Sequence, residues 1–277
     1  MNDIYPNHNI FSNTMADMNW TEIKHYADED AIVLLPIGVI EEHGPHLCLA
    51  ADIYAAHIYC LSIKQKLEQN GFSVIIAPPF YWGICQAAKG FIGSFNIKEE
   101  TAYALLFDIL TSLRDFGFRR VFGINGHGDI NHKITMVKAF KDAFEQLHIV
   151  TCLPYNDFMT EFLGYQKNDP WFYDVKVSEI NVSKAKTPDV HAGDVETAII
   201  HAFYPDLVDT DKAKSLPDMA LGDNFEAWMF GGRLKHLSPE GYLGSPACYE
   251  NVNITHYLDD YSNRYTDAIL TRLSKNK

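Results

Sequence analysis

The sequence predicts a three-layer α/β/α sandwich, in which a mostly parallel sheet lies between two layers of helices. Three observations favour this fold. Short apolar runs closed by Gly or Pro are typical of buried strands, and longer amphipathic segments are typical of helices. The two patterns alternate along the chain, as they do in βαβ units. At 277 residues the chain suits one domain, so we expect a single domain over residues 1–277.

The predicted elements follow one another in order along the chain. Strands are predicted where apolar runs adjoin turn residues, over 31–38, 73–77, 120–124 and 148–153. Helices are predicted over about 19–27, 52–69, 98–116, 131–147, 192–203 and 254–274. The third of these begins with Glu99 and Glu100, as the helix dipole prefers. Residues 1–18 carry no such pattern, and we expect them to be irregular.

Composition and charge exclude several classes of protein. The formal net charge of −13 disfavours binding to nucleic acid or to anionic lipid. The N-terminus lacks the pattern of a secretory signal, and no apolar run approaches the length of a membrane span. The five cysteines are odd in number and form no CxxC pair. We therefore expect a cytoplasmic protein with reduced, mostly buried thiols.

The segment IGVIEEHGPHLCLAAD, residues 37–52, follows the first predicted strand. It gathers Glu41, His43, His46 and Asp52 within twelve residues. Mixed carboxylates and imidazoles are the ligands that Zn, Mn or Fe prefer. Glu41 and His43 point the same way in an extended chain, and an Asp52 carboxylate could bridge two ions. The alternative is a surface loop with incidental polar groups.

Two further polar segments lie at predicted element ends. GINGHGDIN, residues 123–131, follows a strand and places His127 between two glycines, which permit a tight turn. DVHAGDVETA, residues 189–198, places His191 just before a helix that carries Glu196. Taken alone, each is also compatible with an ordinary turn or helix start. In a parallel sheet, however, ligands bind at the carboxyl ends of strands, where two of the three segments fall.

Together these segments resemble the creatininase (creatinine amidohydrolase) family. Its signatures read approximately GSxEQHGPHLPLxTD, NGHGGN or NGHxEN, and HAGxxET, where this chain has GVIEEHGPHLCLAAD, NGHGDIN and HAGDVET. A fourth segment, SPEGYLGSPACYE at 238–250, is similar to the family's GxxGDPxxAS, with Ser245 where Asp is common. The matches keep the family's order over residues 35–250 or so.

The resemblance implies a centre of two divalent cations, Zn, Mn or Fe. The implied ligands in the first two segments are Glu41, His43, Asp52 and His127. Glu41 and His127 would bind one ion and His43 the other, with Asp52 as the bridge. The fifth ligand stays open between Asp129, two residues after the NGH histidine, and Glu196 of the HAGxxET segment. Asp129 is one methylene shorter than the Glu usual there, so it could reach the ion through a water molecule only. Both residues are kept as candidates.

The resemblance also implies hydrolysis of a small cyclic amide. In this chemistry two cations polarise a carbonyl and activate a water molecule. His191 is the expected proton donor to the leaving nitrogen, because imidazole can donate near pH 7. Glu196 is the second catalytic candidate. A purely structural helix-start residue is the alternative for His191. The expected partners are a small-molecule substrate and further copies of the chain, often a hexamer in this family.

One departure from the family concerns the substrate. The family's GxSxEHxxFPGT stretch corresponds to GICQAAKGFIGSF, residues 83–95, with Ala88 near the His position and Ile92 in place of Pro. Gln86 and Lys89 are expected to line the pocket instead. Trp82, Trp171, Phe172 and Tyr173 could supply aromatic walls, although ordinary packing is preferred for each of them taken alone. The departure argues against creatinine itself as the substrate.

Several alternatives remain open from the sequence. Other members of the family deformylate a formamido-pyrimidine nucleotide, trim a modified peptide or open a cyclic keto-sugar (an inosose). No Lys/Arg cluster adjoins the motifs, which disfavours the nucleotide. A mononuclear enzyme is a further possibility. A non-catalytic metal- or ligand-binding homologue is the last, and the retained ligand types and His191 argue against it.

Overall fold

The computed structural model describes residues 9–154, 163–224 and 234–275. Within them, five strands form one parallel sheet in the order β2-β1-β3-β4-β5. The strands are β1 (Ile32–Ile37), β2 (Val74–Ile76), β3 (Arg120–Asn125), β4 (Val150–Pro154) and β5 (Phe172–Tyr173). The α/β fold with a mostly parallel sheet is confirmed.

The helices connect the strands and cover both faces of the sheet. Numbered in chain order over the described residues, they are α1 (Trp20–Asp28), α2 (Ala51–Gln69), α3 (Glu99–Asp115), α4 (Ile130–Leu147), α5 (Asp194–Phe203), α6 (Thr210–Ser215), α7 (Leu234–Leu237) and α8 (Ile254–Lys275). None of these helices is both long and apolar enough to cross a membrane.

The alternation of side chains along β1 separates two hydrophobic cores. Ile32 and Leu34 point to one face, where they pack with apolar residues of α2, α5 and α8. Val33 and Leu35 point to the other face, where they pack with α3 and α4. All four side chains are fully buried. Because successive strand residues face opposite sides, a strand covered on both faces is apolar throughout, as the sequence of β1 is.

Side-chain caps fix where several helices begin. Asn19 precedes α1 and accepts hydrogen bonds from the backbone N–H groups of Thr21 and Glu22, while the Glu22 carboxylate accepts from the Asn19 N–H. This reciprocal arrangement satisfies donors that have no partner within the helix. At α4 the cap is one-way: the Asp129 side chain accepts from the N–H groups of Asn131 and His132.

The observed boundaries differ from the predicted ones where the backbone leaves the helical or extended region. The helix predicted from residue 192 begins at Asp194, because Ala192 has a φ of 51° and Gly193 is extended. The strand predicted from 148 begins at Val150, because His148 has a φ of 55°. The two-residue strand β5 was not predicted, since it is too short to show a pattern.

The N-terminal segment was predicted to be irregular, and the cysteines were predicted to be reduced and mostly buried. Residues 1–8 lie outside the described residues, and Met15–Asp17 form one turn of 3₁₀ helix. Cys48, Cys60, Cys85 and Cys248 are free thiols. Of these four, Cys60 and Cys85 are buried and the other two are partly exposed.

Truncating Phe122 tests the packing beneath the sheet. This β3 side chain is fully buried and lies edge-on to Tyr173, with ring centroids 5.6 Å apart. We expect Phe122→Ala to lower the free energy of unfolding by about 3–5 kcal/mol, because a cavity replaces the ring. Chemical denaturation measures the change. Phe116 is 57% exposed at the end of α3, so Phe116→Ala is the matched control. Equal losses for the two variants would contradict this account of the core.

Candidate metal centre

The polar segments meet because two neighbouring parallel strands end side by side. The register pairs Ile37, the last residue of β1, with Asn125, the last residue of β3. The chain after β1 carries Glu41 and His43, and the chain after β3 carries His127. Asp52 lies in the first turn of α2. Side chains that are far apart in sequence therefore converge at the carboxyl edge of the sheet.

The first group of potential ligands consists of Glu41, Asp52 and His127, all buried. Nδ1 of His127 lies 2.9 Å from Oδ2 of Asp52 and 3.1 Å from Oε1 of Glu41. Nε2 of the same ring lies 3.0 Å from the carbonyl oxygen of Ile84, which only accepts. Nε2 therefore carries a hydrogen, and in the neutral ring Nδ1 presents a lone pair to two carboxylates. A cation at this point removes the resulting repulsion.

Hydrogen-bond geometry around the first group supports the same interpretation. Nδ1 of His127 and Oδ2 of Asp52 are buried and have no hydrogen-bond partner with acceptable angles, although they lie close together. The other carboxylate oxygen of Glu41, Oε2, accepts from the thiol of Cys85 at 2.8 Å. Buried polar atoms are normally satisfied, so this pair is the kind of orphan that a metal ion completes.

The second group consists of His43, Asp52 and Glu196. Nδ1 of His43 lies 3.2 Å from the carbonyl oxygen of Glu41, which leaves Nε2 to face the centre. Nε2 lies 3.2 Å from Oδ1 of Asp52 and 3.9 Å from Oε2 of Glu196. The Ala192 N–H donates to the same Glu196 oxygen at 2.6 Å and orients it. Asp52 thus belongs to both groups, with one oxygen toward each imidazole.

The electrostatics of the centre favour positive charge at these two points. Burial lowers the pKa of His43, but the charge and hydrogen bond of Asp52 outweigh burial and raise it to about 10. Burial also opposes charge on His127, yet Glu41 and Asp52 raise its pKa well above the usual value. The two carboxyl groups respond in the opposite sense: despite burial, His127 lowers the pKa of both Glu41 and Asp52.

His191 forms a third group of potential ligands with Glu41 and His43. It is held by a residue that the sequence analysis missed. Its ring centroid is 4.6 Å from that of His43, and its Nδ1 is 3.8 Å from Oε1 of Glu41. Its Nε2 lies 2.9 Å from the carbonyl oxygen of Glu42 and 3.2 Å from the Glu42 carboxylate. Burial and His43 lower the pKa of His191, but Glu42 and Glu41 raise it to about 9.

The Glu42 carboxylate fits because residue 241 is a glycine. A Cβ at Gly241 would overlap the carboxylate, and the φ of Gly241 is +77°. The carboxylate also accepts from the Gly44 N–H at 3.0 Å. The sequence contained one signal for this contact: the Gly lies in the SPEGYLG segment, which shares the family pattern. The pattern did not show that this glycine makes room for the Glu42 carboxylate.

Asp129 has a different environment from the other sequence-predicted ligands. One of its oxygens accepts from the N–H groups of Asn131 and His132 at the start of α4. The other accepts from the N–H groups of Gln86 and Ala87, at 2.7 and 2.9 Å. Four backbone donors thus occupy both oxygens. Among the described residues, Asp129 belongs to none of the groups whose ligand atoms lie within 4.8 Å of one another.

His46 also lies apart from these groups in the described part of the chain. Its Nε2 lies 2.9 Å from the hydroxyl oxygen of Thr197, and the side chain is buried. Burial and the nearby His43 and His191 lower its pKa to about 4. His46 therefore packs as a neutral ring that links the first segment to α5.

A cavity of about 470 Å³ opens onto the two groups. Phe172 lines it, as does Ala88 near the family's His position. The other candidates from the sequence, Gln86, Lys89, Trp82, Trp171 and Tyr173, are not among its described lining residues. The Gln86 side chain instead accepts from the Asn96 amide. Trp82 packs edge-on to Phe95, and the Tyr173 hydroxyl donates to the carbonyl of Gly123 in the core.

Comparison with known sequences identifies relatives of this chain. The family model for creatininase, described as creatinine amidohydrolase, matches residues 16–269. The creatinine amidohydrolase of Pseudomonas putida is 24% identical over 216 residues, covering 73% of this chain and 76% of the relative. The mycofactocin precursor peptide peptidase of Mycolicibacterium smegmatis is 25% identical over 247 residues, covering 89% and 86%.

Solved structures share the fold. A creatininase variant superposes with a TM-score of 0.68 at 22% identity, covering 93% of this chain and 97% of the other. A structure described as a manganese creatininase superposes with a TM-score of 0.62 at 20% identity over 93% and 97%. Because the family model spans most of the sequence, the chain belongs to the creatininase family, whose members are hydrolases.

Proposed function

We propose that this protein is a hydrolase that uses two divalent cations to cleave the C–N bond of a small cyclic amide. The observation that carries the proposal is the position of Asp52 between two sets of ligands, one with Glu41 and His127 and one with His43 and Glu196. Two imidazoles and three carboxylates form a donor set that suits Zn, Mn or Fe. Structures described as manganese and zinc–zinc creatininases support this choice of cation.

The orphaned atoms of the first group support the fit of a cation there. In the proposal, Glu41 and His127 hold one cation, and His43 and Glu196 hold the other. Glu196 is preferred to Asp129 as the fifth ligand because four backbone N–H groups already occupy the Asp129 carboxylate. Two bound cations would supply a polarised carbonyl and an activated water molecule near neutral pH.

His191 is proposed to deliver the proton to the leaving nitrogen. Its Nε2 is occupied by Glu42, so Nδ1 is the atom that faces the centre and holds the transferable proton. In the protein alone its pKa is raised to about 9. Positive charge on the bound cations disfavours a neighbouring imidazolium and would lower this pKa toward neutrality. A donor with a pKa near the working pH is the most effective.

Measuring the metal content tests whether Asp52 binds both cations. We expect the purified, zinc-loaded protein to bind about two equivalents, because each ligand set holds one ion. Asp52→Ala should lose both ions and Glu196→Gln only the one near His43, as measured by elemental analysis after dialysis. Asp129→Asn is the control and should retain both. One equivalent retained by Asp52→Ala would show that Asp52 does not bridge, and a single equivalent in the unmodified protein would support a mononuclear centre instead.

A hydrolysis screen tests the reaction class. The panel contains cyclic amides, a formamide, a short peptide and an inosose, each incubated with the zinc- and manganese-loaded protein. We expect turnover of a cyclic amide and its reduction in Glu41→Gln by at least about a hundredfold, because a ligand to the catalytic ion is lost. Cleavage of the peptide alone would favour a peptidase, in keeping with the mycofactocin relatives. Bound metal without any turnover would favour a binding protein.

The Glu42 contact predicts a change in pH dependence. The Glu42 carboxylate raises the pKa of His191, and a donor must be protonated to act. Activity should therefore fall as pH rises through the pKa of His191, and this basic limb should move to lower pH in Glu42→Gln. At the optimum we expect kcat to fall by about 10–100-fold. Glu240→Gln, at an exposed position near Lys212, is the control. An unshifted limb would remove Glu42 from this role.

A further inference from the structure

The cavity beside the proposed cations contains positive side chains that the proposed reaction does not use. Lys133, Lys176 and Arg264 line it, although the chain as a whole carries a net charge of −13. These residues lie on three different segments, so the sequence shows no basic cluster. In an acidic protein, cationic groups gathered at one cavity attract an anionic ligand to it.

Of the three basic side chains, Arg264 is already paired and Lys176 is exposed. The Arg264 guanidinium forms an ion pair with Asp260 at 2.7 Å and donates to the carbonyl of Lys176 at 2.9 Å. The Lys176 side chain is exposed to solvent. We therefore expect neither side chain to contact the substrate directly. Both add positive potential to the cavity.

Lys133 differs from both. It lies in α4, one turn after the Asp129 cap, and its own N–H donates to the Asp129 carbonyl at 3.1 Å. Its side chain is only partly exposed, and no described carboxylate lies within ion-pair distance, 4.0 Å, of its ammonium group. Burial lowers the pKa of Lys133, and Asp129 opposes this only in part. A partly buried ammonium without a close counter-ion gains from an anionic partner.

The carboxylates nearest the centre are already occupied. Asp129 accepts from four backbone N–H groups, Glu196 accepts from the Ala192 N–H, and Glu41 contacts Cys85 and His127. The cavity is otherwise walled by apolar side chains, among them Met136, Val137, Leu153 and Phe172. Its size suits a small molecule. These features describe a ligand with a compact apolar body and one negative group.

We propose that Lys133 determines specificity by binding a carboxylate of the substrate while the scissile carbonyl lies at the cations. The inference rests on the proposed function, since it names the class of amide that the same centre accepts. A single ammonium is a point charge that matches a monoanion, whereas phosphate dianions are usually held by several donors. The substrate class is therefore a small amide that bears a carboxylate.

Matched substrate pairs test the proposal. Each pair shares one ring and differs by a carboxylate: 5-oxoproline with 2-pyrrolidinone, and dihydroorotate with dihydrouracil. We expect the zinc-loaded protein to prefer the acid member, and Lys133→Met to lower the ratio of kcat/KM for acid over neutral by about 10–100-fold, as expected for a lost charged hydrogen bond. Lys138→Met is the control, because Lys138 lies on the same helix, is exposed and pairs with Asp142. An unchanged ratio in Lys133→Met would overturn the proposal.

A binding measurement separates this inference from the proposed reaction. Calorimetry with 5-oxoproline and 2-pyrrolidinone on the zinc-loaded protein does not require turnover. If no lactam is hydrolysed, the cyclic-amide function fails, but tighter binding of the acid by wild type than by Lys133→Met still supports the carboxylate contact. Equal binding by both proteins overturns it, because the acid would then be held by the cations alone. Unchanged circular dichroism and zinc content of Lys133→Met exclude a folding defect.

Discussion

The centre depends on one carboxylate that faces two imidazoles. Oδ1 of Asp52 lies 3.2 Å from His43 and Oδ2 lies 2.9 Å from His127. In both rings the other nitrogen donates its N–H to a backbone carbonyl oxygen, so each neutral ring turns an unprotonated nitrogen toward carboxylates. Such an arrangement is stable only with positive charge between the partners, supplied by protons or by metal ions. The neighbouring carboxylates raise the pKa values of His43 and His127, which shows that positive charge is favoured at both positions.

Much of this arrangement was predictable because it follows from strand order and motif spacing. The apolar pattern of β1 and β3 predicted buried parallel strands, and polar residues directly after parallel strands must meet at one edge. Glu41, His43, Asp52, His127, His191 and Glu196 do lie together there. The resemblance to the creatininase family supplied the expected roles, which a single sequence without that resemblance could not have assigned.

Other features depended on three-dimensional contacts that no local pattern encodes. The sequence could not show that Asp129 would cap α4 and also bind the loop at Gln86, since the second contact spans 43 residues. It could not separate Glu42 from its neighbour Glu41, because only the fold places Gly241 beside one of them. The sequence also could not show which aromatic side chain lines the cavity, because ring type does not reveal which face a side chain packs against. Of the four aromatic candidates, all within the described residues, only Phe172 lines it, and the others pack against neighbouring residues.

Asp129 connects the start of α4 to a loop that forms part of the cavity wall. Its carboxylate fastens the backbone of residues 86–87 to the start of α4, and the Ile97 N–H closes the same loop by donating to the carbonyl of Gly83 at 3.2 Å. This loop contributes Ala87 and Ala88 to the cavity wall, and its Ile84 carbonyl accepts from His127. A change of side chain at position 87 or 88 would therefore alter the shape of the cavity next to a proposed metal ligand.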